Sequence, residues 1–471
     1  MKQLRWVVIG LVWLELLGGA QALAGEPIAL GTRRELFVDR FLIGETKGDL
    51  RLELQRPVPK EVVLVTDAPW EGNTCAYFTV FQDGDLYRMY YRGSHWDERR
   101  RRSTHREVTC YAESRDGIHW TKPKLGLFEF GGSKANNIVW DGIGTHNFVV
   151  FKDANPDAPA DARYKAIAFG RRRGQRGLYV FKSPDGIHWS LIVDRPVITK
   201  GTFDSQNVAF WDPVAGLYRE YHRTSYMGRR WIMTGTSRDF VHWTEPRLIE
   251  TPGAPLEHLY TNAVMFYPRA PHILIGFPTR FLPEEGSSTE PTFMSSRDGM
   301  VFHRWLEPVI PRDAPEDRSG NRSNYMAWGL VQLPGDERHY SVYATEAYYR
   351  GPSSRLRRFE YRVDGFVAAE AGRRGGTLVT RLFTHGGEVL RVNFKTRRDG
   401  YVRVGLVDAN GRPVAGFALS ECEPLRGDEI DGVVRWRRGA DVSSTAGKPL
   451  RLVFDLRNAQ VFSFRFAPSS D

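Results

Sequence analysis

Cysteine is scarce in this chain of 471 residues, and its scarcity excludes a fold held together by disulfides. Only Cys75, Cys110 and Cys422 are present. A disulfide-stabilised secreted domain carries an even and larger set. Cys75 and Cys110 fall in the same repeat unit, on its first and third strands, which places them roughly 10 Å apart. We therefore expect no disulfide between them.

Long apolar runs are missing after the first residues, so the sequence predicts no stable membrane insertion. The start of the chain has a basic segment, an apolar segment and a small-x-small cleavage site, at Lys2 to Arg5, Trp6 to Leu17 and Ala22 to Ala24. This is the pattern of a secretory signal, and its apolar part is shorter than the about 20 residues that span a membrane. We predict a signal peptide over 1–24 and export to the periplasm or the extracellular space.

Motifs for cofactors and nucleic acids are absent as well. The sequence has no Gly-rich phosphate loop, no nucleophile elbow and no histidine spacing typical of a metal site. We therefore predict no metal and no cofactor. The net charge is +10, but without a recognition helix or a basic stripe we expect no nucleic-acid partner. A carbohydrate, and in particular an acidic polysaccharide, is the better candidate for a basic surface. The oligomeric state stays unknown.

What the sequence does have is a short phrase that returns along the chain. It reads Ser-x-Asp-Gly-x-His-Trp in its full form, and its copies and variants are Ser114–Trp120, Ser183–Trp189, Ser237–Trp243, Ser296–Phe302 and a remnant at Asp364–Phe366. A repeat of roughly 40 to 70 residues in a strand-rich chain indicates a β-propeller. Asp and Gly suit a tight hairpin turn, so we interpret the phrase as structural.

The strand pattern predicts an all-β protein, a five-bladed β-propeller followed by a C-terminal β-sandwich. Each repeat has an apolar inner strand, a second strand, a third strand, the turn phrase and a fourth strand. The stretches from Leu36 and from Arg51 are expected to supply the outer strand that closes the ring. A Gly-rich joint at 371–376 is followed by strands without the phrase. The predicted domains are 25–369 for the propeller and 370–471 for the sandwich.

Several stretches carry a resemblance to a known family: LFVDRFLI, PWEGNT, DGDLYRMYYRG, SRDGIHWTKP, GFPTRF and GNRSNY. They resemble exported bacterial proteins described as glycosyl-hydrolase-like, and the architecture is similar to the invertase/levanase and arabinanase/xylosidase glycoside hydrolases. The resemblance runs over nearly the whole mature chain and implies a glycosidase. The sequence signatures of the invertase group do not stand in their places, since Glu421-Cys422 lies in the predicted sandwich. Sialidases are similar in their repeated Asp turn, but they have six blades.

In a propeller, the starts of the inner strands and the ends of the second strands meet at one end of the central channel, which we call the mouth. Glycoside hydrolysis needs two carboxyl groups flanking the bond. Glu71, Asp204 and Glu257 precede three inner strands, and we predict that these catalytic carboxylates share one pocket. The predicted substrate-binding residues at the mouth are Trp70, Asn73, Arg92, His95, His146, Gln206, Asn207, Arg223, His258, Tyr260, Asn262, Arg280, Arg322, Asn324 and Glu346.

The arginines at the mouth bear on the substrate class. Arginine binds carboxylates and sulfates with two parallel hydrogen bonds, so arginines from four blades would favour an acidic or sulfated sugar. Two alternatives stay open: a carbohydrate-binding propeller without catalysis, and a sialidase-like or lyase-type enzyme. Fewer than two unpaired carboxylates at the mouth would favour binding alone. A tyrosine beside a carboxylate, with three converging arginines, would favour the sialidase-like enzyme.

Overall fold

The computed structural model describes residues 26–315 and 323–470. The predicted signal peptide, 1–24, lies outside the described residues. Within these ranges the chain forms strands and four single 3₁₀ turns, at Ala160–Ala162, Pro283–Glu285, Leu419–Glu421 and Ser443–Thr445. No helix in the described part of the chain is long and apolar enough to cross a membrane.

The first two blades of the propeller follow an N-terminal group of four strands. That group is β1 (Ile28–Gly31), β2 (Glu35–Leu36), β3 (Ile43–Leu54) and β4 (Val58–Val65). Blade 1 contains β5 (Ala76–Asp83), β6 (Leu86–Gly93), a small hairpin of β7 (Trp96–Asp97) and β8 (Arg102–Ser103), then β9 (Val108–Ser114) and β10 (Ile138–Trp140). Blade 2 contains β11 (Val149–Lys152), β12 (Tyr164–Arg172), β13 (Gln175–Ser183) and β14 (Ser190–Leu191). Both blades are antiparallel sheets of four strands.

Blades 3, 4 and 5 complete the ring and confirm the predicted five-bladed propeller. Blade 3 contains β15 (Val208–Asp212), β16 (Leu217–Tyr226), β17 (Arg229–Ser237) and β18 (Arg247–Leu248). Blade 4 contains β19 (Met265–Tyr267), β20 (Ala270–Gly276), a hairpin of β21 (Thr279–Leu282) and β22 (Ser288–Pro291), then β23 (Phe293–Ser296) and β24 (Phe302–Trp305). Blade 5 contains β25 (His339–Glu346) and β26 (Arg355–Arg362), with single bridges to an inner segment at Met326 and Val331.

The ring is closed by an early segment, but a different one from the segment expected. β4 is the outer strand of blade 5, where it pairs with β26. The stretch from Leu36 and most of the stretch from Arg51 lie instead in the C-terminal sheet, where β2 pairs with Phe464 and Ser463 and β3 pairs with a later strand. The sequence missed this because apolar alternation shows that a segment is a strand and not which neighbour it pairs with. The predicted domain boundaries stay predictions.

The C-terminal domain is one hydrogen-bonded sheet of eight strands that encloses its own core. Besides β1, β2 and β3 it contains β27 (Val367–Thr380), β28 (Phe383–His385), β29 (Val389–Asp408), β30 (Asp428–Val433) and β31 (Leu450–Ala467). Both halves of β29 place apolar side chains in the same core cluster, for example Leu390 and Leu406. The long strands therefore bend over the core, which gives the two-layered packing expected of a sandwich.

The repeated phrase is a turn whose polar side chains replace missing backbone hydrogen bonds. In blade 1, Asp116 Oδ1 accepts from the backbone N–H of Ile118 (2.9 Å) and of His119 (2.8 Å). Ser114 Oγ accepts from the Gly117 N–H at 2.9 Å. Burial raises the pKa of Asp116, but its hydrogen bonds to the His119 side chain and to the backbone of His119 and Ile118 outweigh burial and lower it. Such Asx turns explain why Ser and Asp recur at fixed positions.

The same turns also join neighbouring blades, which ties the repeat to the ring. In four of the five junctions a buried tyrosine of one blade donates its hydroxyl to the turn of the next. These pairs are Tyr343 to Gly117 O (2.7 Å), Tyr90 to Gly186 O (2.9 Å), Tyr221 to Gly299 O (2.8 Å) and Tyr267 to Asp364 Oδ1 (2.6 Å). The phrase therefore has a structural role, and candidate functional residues are sought at the mouth instead.

Candidate functional site

Three strand ends from each blade meet at the mouth. Inner strands begin there, second strands run antiparallel to them and end there, and third strands begin there again. The mouth therefore receives side chains from before β5, β11 and β15, from the ends of β6 and β16, and from the start of β9 and β17. This arrangement brings six charged side chains together: Arg92, Glu107, His146, Asp204, Arg223 and Arg230.

Asp204 lies at the tip of a rigid loop between blades 2 and 3. Two buried asparagines hold this loop, because the side-chain amides of Asn147 and Asn207 both donate to the carbonyls of Phe203 and Ser205. Phe203 has a φ of 59°, a left-handed conformation that costs a non-glycine residue about 1–3 kcal/mol. This strained backbone destabilises the loop but holds Asp204 at the surface of the mouth, where its side chain is 54% exposed.

A chain of charges runs from Asp204 into the wall of the mouth. His146 Nε2 lies 3.0 Å from Asp204 Oδ1, and His146 Nδ1 lies 3.0 Å from Glu107 Oε2. Glu107 lies 3.7 Å from the guanidinium of Arg92. Arg92 also donates to Tyr348 Oη at 2.8 Å. The imidazole of His146 therefore bridges two carboxylates that come from different blades.

These contacts set the protonation states of the three titrating groups. Burial raises the pKa of Asp204 and of Glu107, but hydrogen bonds to His146 and the charges of Arg223 and Arg92 outweigh it and hold both pKa values below normal. Burial and the charge of Arg92 lower the pKa of His146. Asp204 and Glu107 raise it by a larger amount, so the pKa of His146 is above its ordinary value. These shifts favour the ionised form of both carboxylates and the protonated form of the imidazole.

Arg223 has hydrogen-bonding capacity that the described residues do not use. Its side chain is 9% exposed, and Nη2 lies 3.2 Å from Asp204 Oδ2. Its Nε and Nη1 donors are buried and find no hydrogen-bond partner. The guanidinium lies over the ring of Tyr260, 5.1 Å from the centroid, and Arg230 lies over the same ring at 5.1 Å. Unpaired buried donors are costly, so this guanidinium is suited to receive a ligand atom.

Tyrosines form the wall beside these charges. Tyr77, Tyr325 and Tyr348 pack in one buried cluster, with the less buried Tyr260 and Tyr349 against it. Tyr77 has a φ of 57° and Tyr349 a φ of 61°, so the wall also holds strained backbone. An aromatic wall next to charged groups provides both a stacking face and polar anchors, which is the composition that sugar binding needs.

Glu71, a predicted catalytic residue, is not part of this cluster. Its carboxylate has no exposed surface and pairs with Lys122 Nζ at 2.6 Å. It also accepts hydrogen bonds from Tyr91 and from the backbone of Ala68. The structure thus corrects the expectation of one shared acidic pocket, because Lys122, which follows the first turn phrase, draws this carboxylate into the body of blade 1.

Glu257 also lies in a separate ion-pair group. It bridges Arg280 at 3.3 Å and Arg304 at 2.7 Å, and Arg280 is bound a second time by Glu290. His258 accepts from Arg230 and contacts Arg229, and burial together with these two charges lowers its pKa. No contact joins Glu71, Asp204 and Glu257 in the described residues, so of the three only Asp204 belongs to the cluster at the mouth.

Most of the remaining predicted site residues hold the scaffold. Asn73, Gln206, Asn207, Asn262 and Asn324 are buried and donate to backbone carbonyls. Glu346 is fully buried between Arg355 and Arg357. Trp70 donates to Asn137, and His95 contacts Thr104 in a loop. Arg322 lies outside the described residues. The roles of these residues in binding stay predictions. The contacts above show that all of them except Arg322 stabilise the surrounding structure.

Three residues of the mouth, Glu107, Arg230 and Tyr348, are not among those predicted from the sequence. Glu107 and Arg230 stand at the starts of third strands, and Tyr348 follows the end of a second strand by two residues. A signal was available, because third strands begin at the same end of a blade as inner strands. Counting all three strand ends would have selected these residues too. In the described part of the chain, no group of three His, Cys, Asp or Glu side chains is arranged to hold a metal ion.

The sequence matches no protein-family model and no curated protein. Solved structures do match. An endo-arabinase from Bacteroides thetaiotaomicron has 10% identity and a TM-score of 0.41, covering 63% of this chain and 96% of its own. A β-1,2-mannobiose phosphorylase from Listeria innocua has 12% identity and a TM-score of 0.45, covering 64% and 94%. An N-acetylgalactosamine deacetylase from F. plautii has 12% identity and a TM-score of 0.45, covering 68% and 97%.

All three neighbours are similar to this chain at low sequence identity, between 10% and 12%. Their TM-scores are all below 0.5, so they carry no argument about the reaction. The chain is similar to solved structures that are described as glycoside hydrolases and phosphorylases.

Proposed function

We propose that this protein is an exported glycoside-hydrolase-like protein that binds an acidic oligosaccharide at the mouth, with Asp204 as the carboxylate that faces the reacting sugar. The observation that carries the proposal is Arg223, which presents two unpaired buried donors next to a half-exposed carboxylate. A carboxylate or sulfate of the ligand would satisfy these donors. The tyrosine wall would stack against the sugar ring.

The charge of the mouth supports an anionic ligand. Arg92, Arg223 and Arg230 face two carboxylates, Asp204 and Glu107, and His146 adds a further positive charge when it is protonated. Guanidinium groups withdrawn from water need a counter-charge. The described carboxylates of the mouth are fewer than its arginines, so a surplus of positive charge remains. An acidic sugar would supply the missing negative charge.

Asp204 suits the reacting position better than the other carboxylates. Its exposure allows contact with a sugar, and His146 and Arg223 keep it ionised. An ionised carboxylate next to the anomeric carbon would stabilise the positive charge that develops there during glycosidic cleavage. Glu107, bound to the other side of His146, would act as a positioning residue by fixing the imidazole.

Arg223→Met tests the anionic subsite. The substitution keeps an unbranched apolar stem on Tyr260 and removes the charge and all donors. We expect a roughly ten- to hundredfold loss of affinity for a uronate or sulfated oligosaccharide, since a charged hydrogen bond contributes about 1.5–3 kcal/mol. Affinity for the matched neutral oligosaccharide should change little. Titration calorimetry at low and high salt gives both values, and binding of the acidic ligand should weaken as salt rises.

Arg115→Met is the control, because Arg115 is an exposed arginine that pairs with Asp85 away from the mouth. It should leave both affinities unchanged. Equal affinity of the wild type for acidic and neutral ligands, without salt dependence, would contradict the anionic subsite.

The raised pKa of His146 predicts a pH dependence of binding. Protonated His146 offsets the negative charges of Asp204 and Glu107, so affinity for an acidic ligand should be highest below the raised pKa of His146, which is above 6.5, and should fall as pH rises through it. Glu107→Gln removes one of the carboxylates that raise this pKa. We expect the midpoint of the affinity-against-pH curve to move to lower pH in Glu107→Gln. An unchanged midpoint would count against His146 as the titrating group.

A second candidate function is carbohydrate binding without catalysis. The observation in its favour is that every carboxylate of the mouth cluster is engaged, Asp204 with His146 and Arg223, and Glu107 with His146. The two candidates differ in one measurement. Tight binding of an acidic oligosaccharide, with no release of product over long incubation, would favour binding alone.

A further inference from the structure

Two loops bulge out of the C-terminal sheet at one level. Between β27 and β31 the pairing jumps from Ala371–Ala459 to Gly376–Leu456, so the segment 372–375 bulges out of β27. Between β29 and β31 it jumps from Thr396–Ala459 to Tyr401–Arg457, so the segment 397–400 bulges out of β29. Both bulges flank the same short part of β31. A β-bulge changes the direction in which the side chains of its strand point. Two bulges at the same level change the direction of side chains on neighbouring strands at the same place.

The bulges carry a row of basic residues across four neighbouring strands, which we call the arginine row: Lys47, Arg373, Arg374, Arg457, Arg397 and Arg398. All six side chains are exposed. Lys47 pairs with Glu45, Arg374 with Asp49 and Arg397 with Glu370. The other three form no ion pair with the described residues. The row therefore has a surplus of positive charge.

Glycines make this arrangement possible. Gly48 has a φ of 70°, and a Cβ there would lie 2.8 Å from the carbonyl oxygen of Gly375. A Cβ on Gly400 would lie 2.4 Å from the carbonyl oxygen of Asn458. Larger residues would push the strands apart, so the backbone at this level is built for close approach.

A cavity of about 520 Å³ opens at one end of the row. Lys47, Arg373, Arg374 and Arg457 line it, together with Tyr401 and Asp455. Arg403 lies over the Tyr401 ring at 5.3 Å, and Arg426 at 6.0 Å. Such a cavity offers a ligand both cationic groups and an aromatic ring, which is more than a solvated basic surface provides.

We propose that the arginine row is a second binding site, separate from the mouth, for an extended anionic polysaccharide. A row that crosses strands repeats its charges about every 4.8 Å, close to the length of one sugar unit, so sulfates or uronates along a chain can meet successive arginines. A membrane surface is disfavoured, because no large apolar side chain of the described residues is exposed beside the row. This inference is independent of the function proposed for the mouth.

The test uses the full chain carrying Arg223→Met, so that the mouth contributes little. Immobilised heparin and polygalacturonate are the probes, with a salt gradient for elution. The variant Arg373→Ser/Arg374→Ser/Arg457→Ser should elute at much lower salt and bind at least about tenfold more weakly, because the charge contacts of three exposed arginines are lost. Replacing the same three residues by lysine should preserve most of the binding, and thermal unfolding should be the same in all variants.

The control removes the same charge elsewhere, with Arg115→Ser/Arg238→Ser/Arg437→Ser, three exposed arginines away from the row and the mouth, and should elute like the parent. Identical elution of the test and control variants would overturn the proposal, because binding would then follow net charge alone. Arginine-row-dependent binding to a DNA duplex or to phosphatidylserine vesicles, without binding to either polysaccharide, would also overturn it. If acidic oligosaccharides fail at the mouth but the row still binds heparin, only the proposed function fails.

Discussion

Asp204→Asn should reduce the turnover of an acidic oligosaccharide by roughly 10²–10⁴-fold, the usual contribution of a positioned acid, base or nucleophile. The amide keeps the size of the side chain and loses the negative charge that the developing positive charge needs. Stability should barely change, since the Asp204 side chain is 54% exposed and the amide oxygen of Asn can still accept a hydrogen bond from Arg223. Steady-state kinetics and thermal unfolding of the same preparation give both numbers.

Asp161→Asn is a matched control for this experiment. Asp161 is also an exposed, ion-paired aspartate, bound to Lys182, and it precedes β12 at the end of blade 2 opposite the mouth. Its replacement should leave turnover unchanged. Full turnover in Asp204→Asn would exclude Asp204 as the reacting carboxylate.

Glu71→Gln should show the opposite behaviour, a large loss of stability. Glu71 is fully buried against Lys122 and Tyr91, and removing one partner of a buried ion pair costs about 3–5 kcal/mol. Lys122 is 21% exposed and keeps a contact with Asp67, so we expect the lower end of this range. Urea denaturation should show a lower midpoint with an unchanged slope. Turnover of the folded fraction should stay near the wild-type value.

Glu98→Gln gives the reference for a carboxylate on the surface. Glu98 is exposed on a loop, and its replacement should change the unfolding free energy by less than about 0.5 kcal/mol. If Glu71→Gln kept full stability but lost turnover, the structural role of Glu71 would be wrong. The sequence-based prediction that Glu71 is catalytic would then hold.

The sequence predicted the fold better than the site, and Glu71 and Asp204 show why. Both precede an inner strand, and both are acidic, so the sequence treats them alike. Their difference comes from partners distant in sequence, since Lys122 lies 51 residues from Glu71 and His146 lies 58 residues from Asp204. Strand periodicity is local and can be recognised in one chain. The protonation and burial of a carboxylate depend on side chains that only the closed ring brings together.

Glu107 illustrates a different reason for a missed residue. Its position follows from blade geometry, but it carries no motif, and it becomes significant only because His146 from the next blade contacts it. The structural role predicted for the repeated phrase is confirmed, by contrast, because its Ser and Asp accept hydrogen bonds from backbone N–H groups three residues away. The role of a residue can be predicted from the sequence when the groups it contacts are near it in the chain.

The N-terminal strands have a consequence for the order in which the molecule can assemble. β2 and β3 pair with β31 and β27, more than 300 residues later, while β4, the next strand, seals blade 5. During synthesis the strands of segment 28–65 must therefore wait for partners that begin only at Arg355, and β2 waits for Ser463 and Phe464. Loop closure over such a span is a late event. The two domains are accordingly finished together, and neither can be cut away as an independent module without leaving open sheet edges in the other.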